Sequence, residues 1–368
     1  MQQGFGAIVV WGLTLALVLA TLLPLTKLPF GAIRGLAFPR LQFACVTLVL
    51  GVGVLILSPT ASTYLAGWIL LTCAVFQAAY IIKFTPIWPK QSLSVSATQA
   101  NPGTRISLLT ANVKMSNRAY GRLLAQVDAC DPDVLMAIEV DEPWVVALET
   151  ALGDRYPHWI KVPKDNGYGL CLLSRLPLAR SEIRTLVTRN VPSIRTEITL
   201  PSEDVIELNL LHPEPPVIVH DTKGRDSEIA LIGLEVQNSD KPVIVAGDLN
   251  DVAWSTTTRR FQRLSGLLDP RVGRGLYNTF HADFAVFRWP LDHLFHDARF
   301  RLISMKRLPN IGSDHFPIFH ELALASRSAG REKLDRATDQ ETTEVKEMIR
   351  SERDRERAAI GEDWEKDR

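Results

Sequence analysis

The chain has 368 residues, of which 46% are hydrophobic and 22% are charged, and its 41 basic side chains balance 41 acidic ones. This length suggests two or three structural units and supplies enough apolar material for a true core. The four cysteines are widely separated, which excludes a disulfide scaffold and a cysteine-rich zinc module.

The neutral total hides a segregation of charge along the chain. Residues 1–90 hold five basic side chains and no acidic one, whereas residues 91–326 hold 25 basic and 28 acidic side chains. A slightly acidic central region argues against a strongly basic surface that grips nucleic acid.

Three uncharged apolar stretches open the chain, at about residues 5–25, 41–57 and 64–82. Each approaches the roughly 20 residues that a helix needs to cross a bilayer. The first stretch lacks a positively charged start and a small-residue cleavage site, which argues against a cleaved signal peptide. We therefore expect residues 1–89 to form a transmembrane region of about three helices in contact with the lipid bilayer.

The basic residues of this region occur in two of its connecting segments. They are Lys27, Arg34 and Arg40 between the first two stretches, and Lys83 and Lys90 after the third. The loop between the second and third stretches has none. The positive-inside rule then predicts an integral membrane protein whose N-terminus lies outside and whose chain after residue 83 lies in the cytoplasm.

Composition changes twice after the apolar stretches. Residues 90–104 are polar and rich in Ser, Thr and Pro, which predicts a linker. Residues 105–325 show short apolar runs separated by Gly, Pro, Asn and Asp, which is typical of a folded domain. Residues 326–368 carry charges of both signs at helical spacing, and this pattern predicts a tail that is either a solvated helix or disordered.

In the central domain, several predicted strands end in a polar side chain. Runs of about four to eight aliphatic residues are typical of strands, and continuous apolar character suggests burial on both faces. A helical pattern between the first two strands predicts a parallel crossover, so their ends should lie on the same side of one sheet. The polar residues at or after these strands are Asn112, Glu139, His212 and Asp248, with Asn250 two residues later.

For any one of these residues alone, a role in a turn is the more common explanation. The ensemble changes that expectation, because carboxylate, amide and imidazole groups all occur where strands give way to loops. Two downstream segments, Leu291-Asp292-His293 and Ser313-Asp314-His315, add to the set. Oxygen-rich ligands without thiolates suit a hard cation such as Mg²⁺ or Mn²⁺ rather than structural zinc.

These motifs resemble those of the endonuclease/exonuclease/phosphatase superfamily, which contains DNase I-like nucleases, abasic-site endonucleases, neutral sphingomyelinases and inositol polyphosphate 5-phosphatases. The resemblance covers residues 105–322, and its Gly-Asp-Leu-Asn and Ser-Asp-His motifs are the most specific. The matching segments, in chain order, are Thr110-Ala111-Asn112, Ile138-Glu139, Leu172-Leu173-Ser174-Arg175-Leu176-Pro177, Leu211-His212-Pro213, Gly247-Asp248-Leu249-Asn250, Leu291-Asp292-His293 and Ser313-Asp314-His315-Phe316-Pro317.

The resemblance implies an α/β fold, a four-layer sandwich of two central β-sheets flanked by helices, here preceded by about three transmembrane helices. It also implies cleavage of a phosphate ester with Mg²⁺, or with Mn²⁺ in its place. The arrangement looks like a membrane-anchored, bacterial-type member of the superfamily. Its expected location is the bacterial inner membrane, with the catalytic domain on the cytoplasmic side.

The resemblance also implies which residues bind the metal. By position, Glu139 resembles the principal metal carboxylate. Asn112 and Asp314 are implied as direct or water-mediated ligands.

Five further residues are implied in catalysis. Asp248 resembles the residue that orients or deprotonates the attacking water, and Asn250 resembles one that holds a phosphate oxygen. His315 resembles the site histidine, with Asp292 as its partner carboxylate. His212 falls where some members place a second histidine and others a tyrosine.

Three neighbouring features have more ordinary explanations. His293 follows Asp292 and is expected to face the opposite side of its strand. The Pro213-Glu214-Pro215-Pro216 stretch is stiff, and it is either a wall that excludes a long polyanion or an ordinary loop. Arg195 is a candidate phosphate contact, although a surface ion pair is the more common role for such a residue.

Three classes of function remain open. The favoured one is a membrane-tethered, metal-dependent phosphodiesterase or phosphatase that acts on a lipid head group or a small molecule, because tethering raises the effective concentration of membrane-borne substrates. A DNase I-like endonuclease or exonuclease acting on DNA is the alternative, and an inactive membrane scaffold is less favoured because the set of polar residues is complete. No obligate protein partner is evident.

Overall fold

The structure is a computed structural model that describes residues 2–57, 60–325 and 335–362 of the chain. Three of its helical segments are long and apolar enough to cross a membrane, and they agree with the predicted stretches to within three residues at each end: Phe5–Leu25, Arg40–Leu57 and Ala61–Phe84. The α-helices before the first strand are α1 (Gln2–Leu22), α2 (Gly31–Gly35), α3 (Arg40–Leu57) and α4 (Ala61–Ile81).

Two mixed β-sheets follow. The strands of the described residues are β1 (Arg105–Asn112), β2 (Val134–Ile138), β3 (His158–Val162), β4 (Leu170–Ser174), β5 (Leu178–Thr185), β6 (Pro192–Thr199), β7 (Val205–Leu211), β8 (Val243–Asp248), β9 (Asp292–His296), β10 (Phe300–Arg307) and β11 (Ile318–Leu324). The first sheet has the order β10-β11-β1-β2-β4-β3, and the second has the order β5-β6-β7-β8-β9. The pairs β1–β2 and β7–β8 are parallel, whereas the other pairings are antiparallel.

Helices cover the outer face of each sheet. They are α5 (Tyr120–Cys130) and α6 (Glu142–Leu152) on the first sheet, and α7 (Lys223–Val236) and α8 (Thr256–Ser265) on the second. Because successive strand residues face opposite sides, Leu108 lies in the core between the sheets while Leu109 packs with Leu123 of α5 and Trp144 of α6. Val245 of the second sheet packs in the same way beneath α7 and α8. The four-layer α/β sandwich implied by the sequence is confirmed.

The parallel crossovers bring strand ends to one side of the sandwich. Helix α5 stops at Asp131, which adopts a left-handed conformation (φ 48°) directly before a proline, and the chain then returns as β2 parallel to β1. Before Asp248, the chain of β8 passes so close to β7 that a Cβ on Gly247 would lie 1.9 Å from the Leu211 carbonyl oxygen. A side chain at position 247 would therefore displace the strand that carries Asp248.

The segments that join the apolar helices pack directly on the domain. The backbone N–H of Gly31 donates to the His220 carbonyl oxygen (2.8 Å), and that of Thr222 donates to the Pro29 carbonyl oxygen (2.7 Å). The indole N–H of Trp254 donates to the Ala37 carbonyl oxygen (2.7 Å). The ends of α1 and α3 that lie next to this segment therefore face the sandwich.

Residues 90–104, predicted as a linker, also lie along the domain. Gln91 accepts a hydrogen bond from the backbone N–H of Asp269 (2.8 Å), and Ser92 bonds to the imidazole of His296 (2.8 Å). Ser94 forms an isolated bridge with Leu302 of β10. The polar composition that predicts a linker thus belongs to a segment anchored by its polar side chains.

The predicted charged tail contains a helix, α9 (Asp339–Arg353). A helix exposed to solvent on all sides was one of the two expectations, but one side of α9 is covered. Val345 and Ile349 lie one helical turn apart and are buried against α7 and α8. Of the predicted tail, residues 326–334 and 363–368 lie outside the described residues.

Candidate active site

Polar side chains from both sheets meet at one end of the sandwich, where the two parallel strand pairs stop. Asn112 ends β1, Glu139 follows β2, His212 follows β7, and Asp248 ends β8. The Asn112 amide joins the two sheets, since its Nδ2 lies 2.8 Å from Glu139 Oε1 and 3.1 Å from Asp248 Oδ2. Groups that are far apart in the sequence therefore surround one opening.

A histidine lies between two carboxylates at this opening. Asp292 is paired across the sheet with Asp248. His315, in the loop before β11, places Nδ1 2.8 Å from Asp292 Oδ2 and Nε2 3.4 Å from Asp248 Oδ2. The ligand atoms of these three buried residues lie within 4.8 Å of one another, which is compact enough for a metal ion. Both ring nitrogens already face carboxylate oxygens, however, so we interpret the group as an acid–base relay rather than a cation site.

The two carboxylates determine the charge of the histidine. Burial acts to lower the pKa of His315, but the negative charges of Asp292 and Asp248 outweigh it and raise this pKa to about 10. The ring is therefore an imidazolium at neutral pH, in which Nδ1–H donates to Asp292 while Nε2–H, 3.4 Å from Asp248, remains able to donate to an anion. It can offer positive charge and a hydrogen bond to an anion at the opening.

Glu139 has the opposite surroundings. Burial raises its pKa to about 7, a rise that the hydrogen bond from Asn112 only partly opposes. Its side chain is 26% exposed, so solvent reaches the carboxylate from the opening. The residue adopts a left-handed backbone conformation (φ 62°), which is uncommon outside glycine and frequent at functional sites.

Asp314 lies beside Glu139 and is paired with a lysine. Burial acts to raise the pKa of Asp314, but the positive charges of His315 and Lys114 hold it below its usual range. The Lys114 ammonium lies 3.2 Å from Asp314 Oδ2. Nothing in the order of the sequence motifs marks Lys114 as part of the site.

The donor set fits a divalent cation. Four carboxylates (Glu139, Asp248, Asp292 and Asp314) face two cations, the His315 imidazolium and the Lys114 ammonium. One of the two excess negative charges lies at Glu139, whose raised pKa is typical of a carboxylate without a cationic partner. Its neighbours offer oxygen atoms and no thiolate, which suits Mg²⁺ or Mn²⁺.

His212 faces Glu139 from the second sheet. Its Nε2 lies 3.9 Å from Glu139 Oε1, and its Nδ1 is buried without a hydrogen-bond partner among the described residues. Burial, together with the positive charge of His315, lowers the pKa of His212 to about 3. The ring is therefore neutral, with a polar atom left available for a ligand.

Asn250 lies next to this group but its amide is engaged. Its Nδ2 donates to the Pro213 carbonyl oxygen (2.9 Å), and its backbone N–H donates to Asp248 Oδ1 (2.9 Å). Like Glu139, it has a positive φ (52°). In this structure Asn250 thus ties the loop after His212 to the end of β8.

The predicted stiff stretch after His212 is neither a free wall nor an ordinary exposed loop. Glu214 is buried, and its carboxylate accepts from both terminal nitrogens of Arg357 (2.5 and 2.7 Å) and from the backbone N–H of Ile360 (2.8 Å). The Tyr168 hydroxyl donates to the Ile360 carbonyl oxygen, and its ring lies 5.6 Å from the His212 ring. Residues 354–362, whose charge pattern predicts only a tail, therefore support His212. The sequence signal for this contact was the acidic residue Glu214 close to His212.

Two residues considered from sequence lie outside the site. His293 is buried on the other face of β9, where its Nδ1 lies 2.6 Å from Arg271 and its Nε2 lies 2.8 Å from the Asp251 carbonyl oxygen. Arg195 pairs with Glu207 (2.9 Å), as expected of an ion pair rather than a phosphate contact.

Comparison with known proteins identifies a family for this arrangement. The sequence model described as "Endonuclease/Exonuclease/phosphatase family" matches residues 109–315, which contain all eight predicted site residues. A search of curated protein sequences found no match.

Solved structures share the sandwich at low sequence identity. An endonuclease/exonuclease/phosphatase from Beutenbergia cavernae DSM 12333 is 16% identical, with a TM-score of 0.52 over 65% of this chain and 76% of that one. The human Nocturnin catalytic domain with bound sulfate is 15% identical, with a TM-score of 0.52 over 64% of this chain and 98% of that one. D. rerio TDP2, complexed with a single-strand DNA product, is 17% identical, with a TM-score of 0.50 over 60% and 99% of the two chains. At these identities the likeness shows the fold.

Proposed function

The chain belongs to the endonuclease/exonuclease/phosphatase family, a group of metal-dependent phosphoric ester hydrolases, and on this premise we propose that it is a membrane-anchored, Mg²⁺-dependent phosphodiesterase or phosphatase. The observation that carries the proposal is the opposition of two groups across one opening. The Asp292–His315–Asp248 relay lies on one side, and the surplus carboxylate Glu139 lies on the other.

Each side chain at this opening has its own role in hydrolysis. Glu139, with Asn112 and Asp314, would hold Mg²⁺ (or Mn²⁺), which supplies positive charge against the negative charge that develops on the phosphate oxygens. Asp248 accepts a proton from the attacking water. The water oxygen bonds to phosphorus while the bond between phosphorus and the leaving oxygen breaks.

The remaining groups stabilise the phosphate. The His315 imidazolium, held in place by Asp292, donates a hydrogen bond to a phosphate oxygen as negative charge accumulates there. His212 donates a hydrogen bond to the phosphate from its neutral ring. Asn250 donates once its amide exchanges the Pro213 carbonyl for a phosphate oxygen.

We also propose the membrane arrangement. The segments that contain Lys27, Arg34, Lys83 and Lys90 contact the domain, and Arg40 begins α3 at the end next to it. A positively charged flank favours the cytoplasmic side, so the proposal places the catalytic domain there, in a bacterial inner membrane. The proposed units are the transmembrane region 1–89, the anchored linker 90–104, the catalytic domain 105–325 and the tail 326–368.

Hydrolysis of DNA is the second candidate. The guanidinium carbons of Arg288 and Arg307 lie 5.0 and 4.4 Å from the ring centre of Phe316, the residue after His315. No carboxylate pairs with either arginine among the described residues, so both are free to meet an anion, and a DNA backbone would satisfy them.

The test uses the full chain purified in detergent with bis(4-nitrophenyl) phosphate, plasmid DNA and a phospholipid as substrates. We expect hydrolysis that needs Mg²⁺ and stops with EDTA, and we expect Asp248→Ala to lower kcat at least about 100-fold. Asp128→Asn is the matched control, because this aspartate lies exposed on α5 and pairs only with Arg155 among the described residues. Full turnover by Asp248→Ala, or activity that survives EDTA, would refute the proposal.

A further inference from the structure

Large apolar side chains are exposed on loops that lead away from the catalytic opening. Six of them, each between 53% and 83% exposed, form what we call the apolar rim: Phe30, Ile218, Val219, Phe284, Val286 and Phe287. Large apolar side chains exposed together on loops beside a site are uncommon in soluble domains and mark a surface that contacts a partner or a membrane.

Five of the six rim residues lie on two loops that also contact the catalytic residues. Ile218 and Val219 lie in the loop that follows His212, whose Pro213 carbonyl accepts from Asn250. Phe284, Val286 and Phe287 lie in the loop between α8 and β9. At the base of this second loop, the Phe280 ring packs 4.9 Å from the His315 ring, and the Ala282 N–H donates to the Asp314 carbonyl (2.7 Å).

Both loops are also fastened to the apolar helices. The side-chain amide of Gln42, in the first turn of α3, donates to the Val286 carbonyl oxygen. The first loop lies so close to α2 that a Cβ on Gly31 would be 1.9 Å from the Val217 carbonyl oxygen. The rim therefore lies at the level where α3 begins, which is where a bilayer that contains α3 would have its interface.

The charges behind the rim suit that position. Arg288 donates to the carbonyl oxygens of His281 and Ala282 at the base of the second loop, and both Arg288 and Arg307 lie against the Phe316 ring. Apolar tips with arginines set behind them are typical of segments that enter the bilayer interface and meet lipid phosphates.

We propose that the apolar rim rests in the interface of the membrane that holds the three helices, so that the active site takes its phosphate ester from the head group of a phospholipid in that membrane. This inference rests on the proposed function, and it selects a membrane lipid over DNA and over soluble esters as the substrate. The rim then acts in substrate presentation, and the chemistry stays with the residues around Glu139 and His315.

The test compares two rates for the full chain. The lipid rate is measured with the protein reconstituted in phosphatidylcholine–phosphatidylglycerol vesicles containing Mg²⁺, as release of head groups or of lipid phosphate products. The soluble rate is measured on the same preparation with bis(4-nitrophenyl) phosphate. The variants are Val286→Ser/Phe287→Ser and Ile218→Ser/Val219→Ser, and Ile183→Ser is the matched control because it is 58% exposed on β5, in the edge position of the second sheet.

We expect the ratio of lipid rate to soluble rate to fall at least about tenfold in both rim variants, since each removes apolar surface from the interface. Ile183→Ser should leave the ratio as in the unmodified chain. An unchanged ratio in the rim variants, or turnover of plasmid DNA or the soluble ester without any lipid turnover, would overturn this inference alone. Absence of Mg²⁺-dependent turnover of all three substrates would instead overturn the proposed function.

Discussion

The two sheets contribute differently charged halves of the site. The second sheet supplies Asp248 and Asp292, and both are buried beside the His315 imidazolium. The first sheet supplies Glu139, which is partly exposed and, within the described part of the chain, has only the uncharged Asn112 amide as its hydrogen-bond partner. One half thus holds a cation supplied by the protein, and the other half does not.

This difference separates the two tasks of a phosphate hydrolase. A relay that contains its own cation is assembled before any ligand arrives, because both buried carboxylates face the shared imidazolium. A buried carboxylate without a cation favours binding of one, since a metal ion relieves the cost of its burial. The comparison therefore predicts that substitutions in the two halves have different effects on stability as well as on activity.

The largest expected effect comes from the half that lacks a cation. Glu139→Gln should lower kcat at least about 1,000-fold, because it removes the carboxylate proposed to hold the metal. In EDTA, its thermal unfolding midpoint should equal or exceed that of the unmodified chain, since a neutral amide replaces a buried carboxylate. Steady-state kinetics and thermal unfolding in detergent measure both effects. A midpoint several degrees lower in EDTA would show that Glu139 is neutralised within the protein after all.

The relay should respond in the opposite way. Asp292→Asn should lower kcat roughly 100-fold, because His315 loses the carboxylate that keeps it charged and oriented. It should also destabilise the domain by about 2–4 kcal/mol even without metal, since it leaves a buried imidazolium with one partner fewer. Denaturant unfolding measures this loss, and Asp128→Asn again serves as the exposed control. A variant as stable as the unmodified chain would contradict the idea of a preassembled relay.

Metal binding provides a third way to sharpen the comparison. Mg²⁺ at about 100 times its dissociation constant should stabilise the unmodified chain by about 2.7 kcal/mol, because the ion binds the folded state only. Glu139→Gln should lose most of this gain, whereas Asp292→Asn should retain it. Thermal unfolding with and without Mg²⁺ distinguishes the two. Equal stabilisation of both variants would place the ion away from Glu139.

The sequence predicted those parts of the site that depend on local patterns. Asn112, Glu139 and Asp248 were found because each follows a buried apolar strand, and parallel crossovers bring such ends together whatever the details of packing. The support of His212 by Glu214 and Arg357 was not predictable, since these partners are 143 positions apart and no local pattern relates them. The same holds for α9, whose buried Val345 and Ile349 are hidden among charges, and for the rim, which exists only once both loops meet α2 and α3.

The tail therefore offers a smaller test. Arg357→Ala leaves the buried carboxylate of Glu214 without its cation, which should loosen the loop after His212 and lower kcat about 5- to 10-fold. Arg350→Ala, an exposed arginine on α9, is the matched control and should have no effect. If Arg357→Ala changes stability but not kcat, residues 354–362 contribute to folding and not to the position of His212.

The smallest expected effect concerns a buried carboxylate outside the site. Burial raises the pKa of Glu228 on α7 to about 8 from an ordinary value of 4.5, although the Thr188 N–H donates to it (3.0 Å). Between these two pH values the folded chain holds a proton that the unfolded chain has lost, so stability must fall as pH rises through this window. Glu228→Gln keeps the acceptor oxygen and removes the titration.

The free energy of unfolding of Glu228→Gln should therefore equal that of the unmodified chain near pH 4.5 and exceed it by about 1–3 kcal/mol near pH 8. Its kcat should be unaltered. Glu139→Gln should show the same pH-dependent gain in EDTA and lose it in Mg²⁺, because there the ion neutralises the carboxylate instead. A gain for Glu228→Gln that also disappears in Mg²⁺ would mean that the ion acts on the whole fold, and the contrast between the two halves would then say nothing about where it binds.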